Sequence, residues 1–302
     1  MKVVRGEREM LWKQQLIETE NGVFEVFSKG SGSPLCVTHH YSVFTSEGDL
    51  FAESFVESHH VYLVNLRGAG SSVVASTDVE LSMIDAVMDL ESIRKALGFE
   101  KWTFAGHSTG GMIGLLYGIH FTERLDALLL VGTAGRYYGD AKSCIYNPAH
   151  PQFQYMQDLI EQLKDSRLAK DKRLMLSKER AKLSLHLPEQ YDDYFAGTPK
   201  KLMSSGRMNM FAREYAIYDV TRRLDKITCP VWIACGTHDV QCPIEFSKEI
   251  HELISGSKFI QFHASNHYPF LEEQDQFQYE LDAFFKEVTT SCNHSQQKSF
   301  GY

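Results

Sequence analysis

The chain has 302 residues, 43% of them apolar and 23% charged, with a formal net charge of −8 and a pI near 5.9. That length suits one large α/β domain with a small insertion. Basic residues are scattered, which argues against nucleic acid as the main ligand, because such binding gathers Lys and Arg opposite phosphates. No run approaches about eighteen apolar residues, so no membrane span is expected.

The opening stretch, MKVVRGEREMLWKQQ, has basic residues but no apolar core behind them. It does not read as a secretory signal, and the expected location is the cytoplasm. Cys36, Cys144, Cys229, Cys235, Cys242 and Cys292 form no C-x-x-C pair, and Cys36 and Cys235 lie inside apolar runs. Buried thiols are expected rather than disulfides. The histidines include the pairs His39-His40 and His59-His60 but nothing spaced like H-E-x-x-H, so neither a metal nor a cofactor is expected.

Alternating polar and apolar residues around Asn21-Gly22 predict a hairpin over Lys13 to Lys29. Short apolar runs then follow at Leu35–Thr38, Val61–Leu66, Trp102–Ala105, Ala127–Val131, Val231–Cys235 and Phe259–Phe262. Nearly continuous hydrophobicity is the mark of strands buried on both faces of a parallel sheet. Helical spacing lies between them, over Leu81–Leu97, Ser108–His120 and Pro269–Val288. The pattern predicts an α/β class with a doubly wound, mostly parallel sheet. Between about Gly135 and Thr221 the alternation fails, and helical periodicity without a convincing strand predicts a helical cap inserted between core strands. The expected division is a core of residues 1–134 and 222–291, a cap of 135–221, and a polar, flexible tail of 292–302.

The chemistry gathers at Gly106-His-Ser108-Thr-Gly110, which joins a buried strand directly to an amphipathic helix. A bare Gly-x-Ser-x-Gly arises by chance in about one chain of this size in ten, so position carries the weight. At such a sharp turn the serine oxygen is lifted clear of the sheet, and the helix points N–H groups at the place where an oxyanion forms. A serine needs a base, and the base an acid that holds its tautomer. Asp239 follows the Val231–Cys235 run, and His267 follows Phe259–Phe262, each leaving the carboxyl edge of the sheet. Ser108, Asp239 and His267 are therefore the candidate nucleophile, acid and base, with His263 a competitor for the last role. The backbone N–H groups of Thr109 and of Tyr41, in His39-His40-Tyr41-Ser42, are the expected oxyanion donors.

These residues resemble the α/β-hydrolase superfamily. Asn65-Leu-Arg67-Gly68-Ala-Gly70-Ser-Ser72 is similar to its D-x-R-G-x-G-x-S loop, and Asn266-His267-Tyr-Pro269-Phe-Leu-Glu272 to its G-H-x-P-x-x-E loop. The resemblance implies a cap between the sixth and seventh core strands, and a site-shaping loop at Arg67 and Gly68. Its departures are Asn65 for Asp and His40 for the usual Gly, where a bulky ring would narrow the pocket. A Ser nucleophile disfavours epoxide hydrolases and haloalkane dehalogenases, which use Asp. The layout is esterase-like and proline-iminopeptidase-like, although the latter's His-Gly-Gly-Pro-Gly loop and Trp after the nucleophile are absent.

The leading expectation is a serine hydrolase that cleaves a small ester, thioester, lactone or amide through an acyl-enzyme. An aminopeptidase with the same triad, reading the substrate amine through Glu214, is the alternative. A ligand receptor that gave up fast turnover is a third reading, which the presence of all three triad residues opposes. His40, His107, Tyr137 and Glu214 are candidate substrate contacts. Tyr137, Tyr138, Tyr146, Phe153 and Met156 either line a pocket or pack the cap. The expected partner is a small acyl substrate, and the oligomeric state is open.

Overall fold

An antiparallel hairpin opens the sheet in the computed structural model, which describes residues 11–165, 167–197 and 202–299. β1 (Lys13–Thr19) and β2 (Gly22–Gly30) pair Thr19 with Gly22. The turn is therefore Glu20-Asn21, one residue ahead of the predicted centre. Gly22 sits at φ +126°, and a Cβ there would lie 2.9 Å from Val73, so close packing draws it into the strand.

The chain continues through β3 (Ser33–Val37), β4 (Ser42–Val43), α1 (Leu50–Glu53), β5 (His59–Val64), α2 (Met83–Ala96), β6 (Trp102–His107), α3 (Thr109–Phe121) and β7 (Leu125–Val131). Then come α4 (Phe153–Lys164), α5 (Lys170–Lys182), α6 (Tyr191–Tyr194), β8 (Leu202–Met203) and α7 (Ser205–Tyr215). β9 (Val231–Gly236), α8 (Ile244–Leu253), β10 (Lys258–Phe262), α9 (Pro269–Glu272) and α10 (Gln274–Ser299) complete it.

Eight strands form the main sheet in the order β1-β2-β5-β3-β6-β7-β9-β10, parallel from β5 onward. Alternate residues enter opposite cores, as the apolar runs require. Leu128, Leu130 and Ile233 join a core with α2, α3 and α8, while Leu129, Val131 and Trp232 join one with α1, α9 and α10. Both faces are thus covered, as expected of a parallel sheet.

Among the described residues, helices α4 to α7 lie between β7 and β9, the sixth and seventh strands of the main sheet along the chain. The expectation of no strand in this insertion is corrected. β8 pairs antiparallel with β4, and Arg136 bridges Asp219. Two-residue pairings across such separations leave no periodicity to read. Two further boundaries differ. The helix predicted over Pro269–Val288 breaks at Glu273 (φ −130°, ψ 52°), whose carboxylate accepts from Ala264 N at 2.9 Å and Ser265 Oγ at 2.6 Å. Helix α10 then runs past the predicted end at Val288 to Ser299, with neither Gly nor Pro to interrupt it. No helix among the described residues is long and apolar enough to cross a membrane.

Candidate active site

Ser108 stands between β6 and α3 with φ 55° and ψ −122°, the only non-glycine residue at positive φ among those described. Such a backbone costs about 1–3 kcal/mol and persists only where its surroundings impose it. Here Ser108 N donates to Val131 O at 2.9 Å, and Ser108 O accepts from Thr133 Oγ1 at 2.8 Å and Gly111 N at 2.9 Å. The flanking glycines permit the turn. A Cβ on Gly106 would lie 2.3 Å from Gly110 O, and one on Gly110 2.3 Å from Thr38 O.

Asp239 and His267 meet in the interior. His267 Nδ1 lies 2.8 Å from Asp239 Oδ2, and both side chains are buried. Asp239 Oδ1 accepts from Gln241 N and Cys242 N, each at 2.8 Å, so backbone fixes the carboxylate's plane. The pair rests on Gly132 (φ +52°), where a Cβ would come within 3.0 Å of Asp239 Oδ2 and 3.3 Å of His267 Nδ1. Gly132 lies between Val131 and Thr133, which hold the Ser108 backbone, so one stretch of chain supports all three candidates. His107 links them from the other side. Its Nε2 is 2.8 Å from His267 O, and its ring centroid 4.5 Å from that of His267. His263, the competitor, lies instead against Thr237 Oγ1 at 3.4 Å.

The Glu at the end of the histidine loop has a defined task. Glu272 Oε1 accepts from Asn266 N at 2.9 Å and Tyr268 N at 3.2 Å, bracketing His267, while Oε2 accepts from His186 N of the cap at 2.6 Å. Burial pushes its carboxyl pKa up, and these N–H groups pull it back. The cap also reaches His267 directly, since His267 N donates to Ser184 O at 3.2 Å.

The loop after β3 is clamped by α7 through a residue that composition and motif do not reveal. Arg207 is fully buried; its Nε donates to His40 O, its Nη1 to Arg67 O at 3.0 Å and its Nη2 to His40 Nδ1 at 3.0 Å. Burial lowers its pKa to about 10, which leaves it charged at neutral pH. A stripe of Arg207, Phe211 and Tyr215 at helical spacing was its one sequence signal. Ser204 N adds a bond to Tyr41 O at 2.9 Å. Tyr41 N donates to His39 Nδ1 over a long 3.4 Å, and Thr109 opens α3, among the N–H groups without an acceptor inside the helix.

The ring of His40, expected to narrow the pocket, is committed to α7, with its centroid 5.7 Å from that of Phe211. Burial and then Arg207 push its pKa well down. Glu214 caps α2, both oxygens accepting from Met83 N at 3.0 and 3.1 Å. Tyr137 lies with its ring tilted against that of Tyr215, centroids 4.7 Å apart, and is 38% exposed. Arg67 grips Asp89 with two bonds of 2.9 and 3.0 Å, and Gly68 O accepts from Ser204 Oγ at 2.9 Å, so their loop anchors the cap. Asn65 has a reason to replace Asp, because its Nδ2 donates to the Glu25 carboxylate at 2.7 Å, where a second carboxylate would repel.

A family model described as the alpha/beta hydrolase fold matches residues 36–274, most of the chain. The chain belongs to the α/β-hydrolase family. This hydrolase is similar in structure to an alpha/beta fold family hydrolase from Bacillus anthracis, at 39% identity and a TM-score of 0.87, over 92% of this chain and 99% of that one. It also resembles an esterase from Exiguobacterium antarcticum at 22% identity and a TM-score of 0.65, over 91% and 100% of the two chains, a likeness of fold alone. Among characterised sequences, a pimeloyl-[acyl-carrier protein] methyl ester esterase of Aliivibrio fischeri is 22% identical over 86% of this chain and 96% of that protein. A proline iminopeptidase of Lactobacillus acidophilus is 23% identical over 74% and 78%.

Proposed function

We propose that this hydrolase cleaves a small ester, thioester, lactone or amide through an acyl-enzyme. One observation carries the reading. A buried His267–Asp239 pair at 2.8 Å rests on the chain that also holds Ser108 in a strained turn. Ser108 Oγ attacks the carbonyl carbon as His267 Nε2 takes its proton; Asp239 keeps the other imidazole proton on Nδ1. The N–H groups of Thr109 and Tyr41 receive the oxyanion. His267 then hands its proton to the leaving group, and water repeats the sequence to free the acid. Five cysteines unpaired among the described residues support a reducing compartment, the cytoplasm.

The iminopeptidase relative prompts a second reading, an aminopeptidase using the same triad. Glu214 is already engaged at that position, its two oxygens sharing the one Met83 N–H, which weakens the case for an amine anchor there.

Covalent labelling by a fluorophosphonate tests the first reading. The wild type is expected to label, and Ser108→Ala to remain unlabelled while its kcat on p-nitrophenyl butyrate falls at least about 10⁴-fold. Undiminished labelling of Ser108→Ala, or none of the wild type, would refute it. A methyl group at position 132 tests the geometry separately. Gly132→Ala should cut kcat about 10²-fold by parting His267 from Asp239. It should also cost about 1–3 kcal/mol of stability from its left-handed backbone, read from a thermal melt.

A further inference from the structure

Helix α5 carries its cations in two ways. Lys178 and Lys182 pair with Asp192 at 2.6 Å and Glu179 at 3.0 Å. Arg180 lies one turn beyond Leu176, the buried residue of the helix, and so turns inward. Among the described residues no carboxylate pairs with it, and its Nε is buried without a hydrogen-bond partner. A charged donor left so is expensive, and a guanidinium cannot escape the cost by losing its proton.

The surroundings of Arg180 belong to the candidate active site. Its charge acts on Tyr146, Tyr41 and Tyr268, the side chains that most favour the charged guanidinium. Tyr41 is the candidate oxyanion donor, and Tyr268 follows His267. Tyr146 donates to Gln241 Oε1 at 2.8 Å, and Gln241 N donates in turn to Asp239. Gln241 Nε2 donates to Ser184 Oγ at 2.9 Å, and Ser184 O holds His267 N. The end of α5 is thus docked on the backbone of the candidate base, and its inward cation faces groups that donate hydrogen bonds but carry no charge at neutral pH.

We infer that Arg180 receives a free carboxylate on the substrate, so that this hydrolase prefers half-esters and related acyl derivatives of dicarboxylic acids over neutral esters. The inference deepens the serine-hydrolase reading and rests on it. A guanidinium presents Nε–H and Nη–H as a planar fork that fits the two oxygens of a carboxylate. The Tyr41 and Tyr268 hydroxyls can add donors without adding charge, whereas Tyr146 gives its proton to Gln241. Among the described residues Arg180 is the cation that acts most strongly on Tyr41, Tyr146 and Tyr268, and one guanidinium suits a single negative charge better than a phosphate dianion.

The test compares mono-p-nitrophenyl glutarate with p-nitrophenyl pentanoate, its uncharged counterpart, and reads the ratio of their kcat/KM values. The wild type is expected to favour the charged ester. Arg180→Met should lower the ratio about 10²-fold, and Arg180→Lys, which keeps the charge but loses the fork, should fall between. Glutarate should bind Ser108→Ala in calorimetry more tightly than inorganic phosphate does, and should lose that binding in Ser108→Ala/Arg180→Met. A ratio at or below one in the wild type, a ratio indifferent to both substitutions in proteins of unchanged circular dichroism, or tighter binding of phosphate would each overturn the inference. Fluorophosphonate labelling that still depends on Ser108 would then leave the hydrolase reading standing. Failure of that labelling would remove both.

Discussion

Asp239→Asn is expected to lower kcat on p-nitrophenyl butyrate about 10⁴-fold while leaving the fold intact. The reason is the orientation that the backbone imposes. Gln241 N and Cys242 N both donate to Oδ1 at 2.8 Å, so the amide must turn its carbonyl oxygen toward them. Its NH₂ group then occupies the place of Oδ2, facing His267 Nδ1, and donates where the carboxylate accepted. Imidazole responds with the other tautomer, its proton on Nε2. A nitrogen that already holds a proton cannot take one from Ser108. Because the backbone bonds survive, the melting temperature should change little, which separates lost chemistry from lost structure. A fall in kcat of less than tenfold would contradict the role assigned to the pair.

Arg207→Met should be the most destabilising of the substitutions considered and should also impair turnover. Methionine roughly fills the space but supplies no donor, so His40 O, His40 Nδ1 and Arg67 O lose their partners inside the protein. Each stranded acceptor costs about 1–3 kcal/mol, and loss of a buried charge from a network commonly costs about 3–5 kcal/mol in all. Asp89 and Glu214, which favour the charged guanidinium, lose its field as well. Arg207→Lys is not expected to rescue the protein, since one ammonium cannot serve acceptors on two loops with the geometry of a fork. The same guanidinium fixes the chain just before Tyr41. Its loss should lower kcat about 10²–10³-fold, the scale for one misplaced oxyanion donor, with a smaller change in KM. Thermal melts and steady-state kinetics on the same preparation check both parts. An unchanged melt, or a change confined to KM, would contradict the clamp.

Much of this architecture was legible because local pattern and global fold agree. The runs at Ala127–Val131 and Val231–Cys235 alternate between two cores, and their near-continuous hydrophobicity announced burial on both faces. Gly106, Ser108 and Gly110 were legible because a strained turn admits few residue types. The cap was legible only as a region. Its helices show amphipathic spacing, yet spacing does not say against what a face packs. Nothing in that spacing set Arg207 and Arg180 apart from the other cations of the cap, although one clamps the β3 loop and the other has a buried Nε. The two-residue β4–β8 pairing escaped for a similar reason, being held by partners more than a hundred positions away.

Sequence alone determined the alternation of apolar core strands with helices, the strained turn at Ser108, and the candidate acid and base at the carboxyl edge of the sheet. These are local matters, set by side-chain period and backbone sterics that neighbours along the chain impose on one another. Tertiary structure decided the rest. It brought His267 against Asp239, stationed Gly132 beneath them, turned His40 into α7 and committed Glu214 to the start of α2. Each of these depends on a donor finding an acceptor across the fold once water is excluded, and burial, not sequence proximity, selects that partner.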